Sequence, residues 1–197
     1  MLDRCSDAMA AFASSIRLKS DSYVSLVYQG ICQDKASKYS DAVNSLKTAA
    51  GIEPNNPLAH SQLGLTYYGG KNYVESERSL RRAVQLKPDD YFYRYRLGLA
   101  LYEQERYGEA MTEAKESIRL KSDYSYAHGL YGDTLYGAKQ YKEAVVEYRE
   151  SLRLKPGDAS VHYQLGQSYY GLKDWASASV AFRETVKLAP NDYDACV

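Results

Sequence analysis

The chain has 197 residues, 45% of them hydrophobic and 25% charged, which excludes a disordered tail. Its formal net charge is +0, so it does not read as a general binder of nucleic acid or acidic membrane surface. Cys5, Cys32 and Cys196 are odd in number and far apart, which gives neither a disulfide framework nor a metal motif. No apolar run reaches membrane-spanning length, and the Ala-rich start lacks a basic leader. A cytoplasmic setting is the expectation. The unusual residue is tyrosine, with 21 copies.

In chain order, residues 1–22 come first. The run "SIRLKSD" at 15–21 returns at 117–123, and Ala8 and Phe12 sit at apolar helical spacing. Residues 1–22 are therefore expected to be an orphan second helix of a truncated repeat. From residue 23 a period of 34 takes over: Gly30, Gly64, Gly98, Gly132 and Gly166 keep it, as do Tyr39, Tyr73, Tyr107, Tyr141 and Trp175. Ala42, Ser76, Ala110, Ala144 and Ala178 follow the same step, and Pro54, Pro88, Ser122, Pro156 and Pro190 close each copy. The units are 23–56, 57–90, 91–124, 125–158 and 159–192. A period of this size marks a solenoid of helical hairpins.

Numbering each unit from 1 to 34, positions 4, 7, 8 and 11 form the apolar stripe of a first helix, as in His60, Leu63, Gly64 and Tyr67. Positions 20, 24, 27 and 28 do so for a second helix, as in Ser76, Leu80, Ala83 and Val84. A Pro-Asn or Pro-Asp type of turn then stops it. Residues 193–197, "YDACV", are read as the start of a further first helix.

This pattern resembles the tetratricopeptide repeat family. The residues that carry the likeness are Leu-Gly-x-x-Tyr at 63–67 and 165–169, Ala-x-x-x-Phe at 178–182 and Pro190, in register over 23–192. The resemblance implies an all-α fold, a right-handed solenoid whose first helices line a concave surface. Two departures stand out. Position 15, where the family often has Gly, holds Ser37, Lys71, Glu105, Lys139 and Lys173, while Gly69, Gly137 and Gly171 stand at position 13, which suggests a looser end to the first helix. Repeat 1 carries Gln29 and Gln33 where Leu and Tyr are usual.

The side of the first helix opposite the stripe should be polar if it only faced water. Instead repeat 1 gives Val24, Val27, Tyr28 and Ile31, and repeat 2 gives Leu58, Ser61, Gln62, Leu65 and Tyr68. Repeat 3 gives Phe92, Tyr95, Arg96, Leu99 and Tyr102. Repeat 4 gives Tyr126, Gly129, Leu130, Asp133 and Tyr136, and repeat 5 gives Ser160, Tyr163, Gln164, Gln167 and Tyr170. Combined with the resemblance, this is a Tyr-rich groove for a peptide or protein segment. Tyr68, Tyr102, Tyr136 and Tyr170 form a ladder at position 12, offering flat apolar area and a hydroxyl. Gln62, Gln164, Arg96 and Asp133 are the candidate hydrogen-bonding groups. The glycines at position 13 either admit a ligand beside each ring or ease the helix end. Tyr39, Tyr67, Tyr73, Tyr107, Tyr131, Tyr141, Tyr148 and Tyr169 fall at core positions of the family.

Catalytic chemistry has no visible seat. His60, His128 and His162 all occupy position 4, which faces the core, and no Cys or carboxylate recurs beside them at ligand spacing. No metal or other cofactor is expected, and no glycine-rich phosphate loop occurs. The family's carboxylate clamp for acidic C-terminal peptides needs Lys and Asn at positions 5 and 9, which this chain never pairs; only Arg96 fits such a role. The expectation is a non-catalytic protein-interaction scaffold, with no nucleic-acid or membrane partner. Alternatives are a structural module that self-associates through its ends, or a regulatory fragment of a larger multidomain protein.

Overall fold

The computed structural model describes residues 23–190. Ten helices follow one another, with no strand among the described residues. The expected orphan helix within 1–22 and the start of a sixth repeat at 193–197 lie outside them. First helices are α1 Tyr23–Lys35, α3 Pro57–Gly69, α5 Tyr91–Tyr102, α7 Ser125–Gly137 and α9 Ala159–Gly171. Second helices are α2 Tyr39–Ile52, α4 Tyr73–Leu86, α6 Tyr107–Leu120, α8 Tyr141–Leu154 and α10 Trp175–Leu188. Each thus begins on the periodic aromatic. The chain forms two compact units, Met1–Ala100 and Leu101–Val197, which part inside α5.

Within each unit the hairpins close at the position-8 glycine. A Cβ added at Gly30 or Gly64 would lie 2.5 Å from Cγ of Leu46 or Leu80. In the second unit it would lie 2.6 Å from Cε1 of Tyr148 at Gly132, and 2.5 Å from Cε1 of Phe182 at Gly166. Small residues therefore recur at this position because the two arms touch there. The first unit packs Tyr23, Leu26, Val27, Leu46, Ala49, Ala59 and Leu63 into one cluster. The second packs Leu135, Ala144, Val145, Tyr148, Leu152, Leu165, Tyr169, Ala178 and Ala181 into another.

The end of the first helix is tight, not loose. Lys139 N–H donates to the Tyr136 carbonyl at 2.8 Å, and Gln140 N–H reaches back to Leu135 at 2.8 Å. This is the paired-bond helix stop that needs a left-handed residue just past the end. Ser37, Lys71, Glu105, Lys139 and Lys173 supply it, each with φ near 60° (58–61°). The geometry the family assigns to glycine is kept, and five side chains bear its steric cost, about 1 kcal/mol each.

Repeat 1 departs in sequence without opening a hole. Ser45 Oγ donates to Gln33 Oε1 at 2.8 Å, a buried pair that replaces the usual tyrosine contact. Position 4 has a shared task across repeats. His60 Nε2 meets the Pro54 carbonyl at 2.9 Å, and His162 Nε2 meets that of Pro156 at 3.0 Å. Arg94 Nε donates to the Pro88 carbonyl at 3.2 Å. These bonds tie a helix start to the turn before it, and they account for the histidines without a metal.

Candidate functional site

The position-12 tyrosines are held by ring contacts across the turn of their own hairpin. In the first unit Tyr68 meets Tyr73 edge-on at 5.5 Å. In the second, Tyr102 meets Tyr107 at 5.7 Å, Tyr136 meets Tyr141 at 5.4 Å, and Tyr170 meets Trp175 at 5.0 Å. Edge-to-face geometry of this kind is favoured by the ring quadrupole. The position-13 glycines have a different reason from either one expected. A Cβ at Gly69 would sit 2.9 Å from Cε1 of Tyr39, and one at Gly137 would sit 2.6 Å from Cε1 of Tyr107. At Gly171 it would lie 3.0 Å from the Tyr141 ring. Each glycine is the seat for the first aromatic of the preceding repeat's second helix.

In the first unit, Tyr28 is exposed, Gln62, Leu65 and Tyr68 are half-buried, and Leu58 is exposed beside them. Phe92, Tyr95 and Leu99 are half-buried on α5. Phe92 and Tyr95 stack at 6.4 Å with planes 13° apart, and the Arg96 guanidinium lies 3.9 Å from the Phe92 centroid. Arg96 is buried and donates through Nη1 to Ser61 Oγ at 2.7 Å. The cation expected to reach for a ligand is thus already engaged by its own fold.

In the second unit, Tyr102, Asp133, Tyr136, Tyr163, Gln164 and Gln167 are half-buried, while Tyr126 and Tyr170 are 45% and 58% exposed. Gln167 Nε2 donates to the Tyr163 hydroxyl at 2.8 Å, and the Gln164 carbonyl accepts Ser168 Oγ. Lys155 Nζ donates to the Tyr126 hydroxyl at 3.0 Å and also lies 4.5 Å from that ring centroid. Asp133 accepts the Tyr148 hydroxyl at 2.7 Å. Burial pushes the Asp133 carboxyl up to about 6, against the pull of that bond, and nearby Asp158 adds to the rise. Burial and then Asp133 push the Tyr102 hydroxyl up to about 12, and Tyr148, almost wholly buried, is driven far above its ordinary range.

Sequence reasoning placed His128 at core-facing position 4 but missed its pairing with Glu147: Nδ1 lies 2.8 Å from Glu147 Oε2 and Nε2 lies 3.1 Å from the Ser122 carbonyl. Both nitrogens face acceptors, so the ring is fully satisfied only when charged, and the Glu147 bond raises its pKa. A second missed feature is the column Lys47, Arg81, Lys115, Arg149 and Arg183, basic at position 25 of every repeat. Three of its members cover an aromatic of the following first helix: Lys47 on Tyr67 at 5.9 Å, Lys115 on Tyr131 at 5.1 Å and Arg149 on Tyr169 at 5.7 Å. Its 34-residue step was the available signal. Beside Tyr169, a cavity of about 400 Å³ opens among Arg149, His162, Leu165, Val180 and Glu184. Among the described residues no group of His, Cys, Asp and Glu could hold a metal ion, and no helix is long and apolar enough to cross a membrane.

Helical hairpins closing on a small residue every 34 positions define an all-α solenoid of interaction repeats. Family models for tetratricopeptide repeats match residues 35–69 and 132–173, 75–125, and 159–192. The chain belongs to the tetratricopeptide repeat family, which is built for protein–protein interaction and is in general non-catalytic. Among solved structures it is similar to YrrB, described as a TPR protein with an unusual peptide-binding site, at 17% identity and TM-score 0.73, covering 94% of this chain and 96% of that one. It is similar to MamA from Desulfovibrio magneticus RS-1 at 20% identity and TM-score 0.75, covering 83% and 92%. It is also similar to pilF of Pseudomonas aeruginosa at 20% identity and TM-score 0.76, covering 97% and 81%. At these identities the likeness concerns the fold. Comparison with curated proteins gives no match.

Proposed function

We propose that the chain is a non-catalytic scaffold whose first-helix faces hold an extended or short helical peptide segment. The observation that carries this reading is the aromatic, weakly charged face of those helices, with Tyr28 exposed in one unit and Tyr126 and Tyr170 in the other. A face that met only water would carry charge. Tyrosine offers large contact area at small entropic cost, which suits it to binding surfaces. The position-12 ladder contributes its outer edges, since its inner edges are taken by Tyr73, Tyr107, Tyr141 and Trp175. The similarity to YrrB, whose own description names a peptide-binding site, accords with this reading. The test is selection of a random dodecapeptide library on the purified chain. The expected result is enrichment of a sequence family whose binding weakens by about 1–3 kcal/mol when Tyr126 and Tyr170 are both replaced by Ala, with helicity retained. A library that yields no enriched family refutes the reading.

A second reading, self-association through an end face, draws on α10. A groove of about 440 Å³ lies there among Ser179, Phe182, Arg183, Val186 and Lys187. Light scattering over a concentration series tests it: a mass that stays monomeric into the high micromolar range removes it.

A further inference from the structure

Asp133 carries a charge that its bond to the Tyr148 hydroxyl does not require. It stands at position 9 of α7, where the other repeats have Ile31, Leu65, Leu99 and Gln167, none of them charged. One carboxylate oxygen accepts the Tyr148 hydroxyl. Among the described residues no lysine, arginine or histidine forms an ion pair with it, and the only charged neighbour felt by the carboxyl is Asp158, which is also acidic. Tyr148 from α8 bonds it, Tyr136 stands three residues further along α7 and so on the same helix face, and Tyr102 at the end of α5 is near enough for the carboxylate to raise its pKa. The rings of Tyr102 and Tyr136 are fixed by Tyr107 and Tyr141.

Resting on the reading above, we propose that Asp133, Tyr102 and Tyr136 form a cation subsite for a lysine or arginine side chain of the bound peptide. The carboxylate supplies the opposite charge and the ring faces supply attraction for an ammonium or guanidinium group. A carboxylate held in a low-dielectric setting without a counter-ion is costly in the free protein, and a ligand cation relieves that cost. A perturbed carboxyl on a binding face is the kind of group that marks a site. The alternative, that Asp133 only accepts the Tyr148 proton, needs an acceptor but no charge. The subsite selects the opposite charge to the acidic C-terminal peptides that a carboxylate clamp takes.

The two roles separate in Asp133→Asn, because the amide oxygen still accepts from Tyr148 while the charge is gone. The library selection is repeated on the wild type and on this variant, and the best wild-type peptide is titrated by fluorescence anisotropy at pH 7.5 and pH 5. The expected result is a fixed Lys or Arg in the wild-type peptides, lost in the variant. Affinity should fall about tenfold from pH 7.5 to 5 as Asp133 takes a proton, since about one tenth stays ionised one unit below the pKa. This pH step belongs to the wild type, so it is read even if the variant folds poorly. A control peptide with norleucine in place of the cation should show no such step. Enriched peptides without a fixed cation, or a preference unchanged in the variant, overturn the subsite and leave the groove reading standing. A library with no enriched family overturns both.

Discussion

In the first unit the hairpin of α3 and α4 meets at Gly64 and Leu80, and position 9 of its face is Leu65. In the second unit the hairpin of α7 and α8 meets at Gly132 and Tyr148, and position 9 is Asp133. The next hairpin, α9 with α10, closes on Gly166 with Phe182 and carries Gln167 at position 9, whose amide turns to Tyr163 instead. Three fillings of one contact separate two effects. The glycine accommodates a leucine or either ring equally, so the backbone does not dictate the choice. A buried hydroxyl, and not a ring as such, demands a polar partner on the first-helix face. In the α7–α8 hairpin the chemistry of position 9 is coupled to the core choice through one bond.

The most disruptive way to break that comparison is Gly132→Leu. The ring of Tyr148 is stiff and already at contact, so the expected loss is about 2–3 kcal/mol, read as a lower melting temperature. Gly64→Leu should cost less, because Leu80 can change rotamer more readily than a ring can move. Next in size is Asp133→Leu, which imitates the first unit on one side only. It leaves the Tyr148 hydroxyl buried and unpaired and should cost about 1–3 kcal/mol. Adding Tyr148→Phe should recover most of that loss, and a double-mutant cycle that shows simple additivity would dissolve the coupling.

The third test uses pH. The folded-state pKa of Asp133 is raised above the unfolded value, so the folded chain holds that proton more tightly. The group therefore penalises folding above pH 6, and the penalty is relieved as pH falls from about 6 toward the unfolded value near 4. His128 acts in the same sense, because its raised pKa gives stability that is lost as pH rises through it. The melting temperature should increase from pH 8 toward pH 5, and Asp133→Asn should flatten only the part around 6. An unchanged profile in that variant would mean that the carboxyl is not buried as described. The smallest expected effect is a gain: Lys139→Gly relieves the positive φ and should add up to about 0.5 kcal/mol after the entropic cost of glycine.

Much of this was legible in the chain because contact partners repeat with it. The 34-residue step, the hairpin register and the close approach at position 8 follow from Gly30, Gly64, Gly132 and Gly166 alone. The reason for Gly137 did not, because the ring that needs it, Tyr107, lies 30 residues earlier, in another repeat. The departure at position 15 was visible, yet its consequence ran the other way: Lys139 adopts the glycine conformation and the helix end stays closed. Asp133 was placed on the first-helix face opposite the core stripe from its register. Its bond to Tyr148 was invisible there, since it depends on which side chain fills the space below Gly132. Arg96 was placed in the same way, and its engagement with Ser61 and Phe92 needed the neighbouring helix to be seen.

The seat that each position-13 glycine offers to a ring from the repeat before it works as a coupling standard. Repeat 4 carries both halves of the joint: a socket at Gly137 on its first helix that seats Tyr107, and a plug at Tyr141 on its second that sits against Gly171. Repeats 1 and 3 carry Lys35 and Glu103 at position 13, so the socket belongs to repeats 2, 4 and 5 only. Where socket and plug both occur, as in repeat 4, a whole unit can be copied with its joint intact, while position 9 of each copy is free to diverge. A break at any other phase parts a plug from its socket and leaves an aromatic ring facing a side chain.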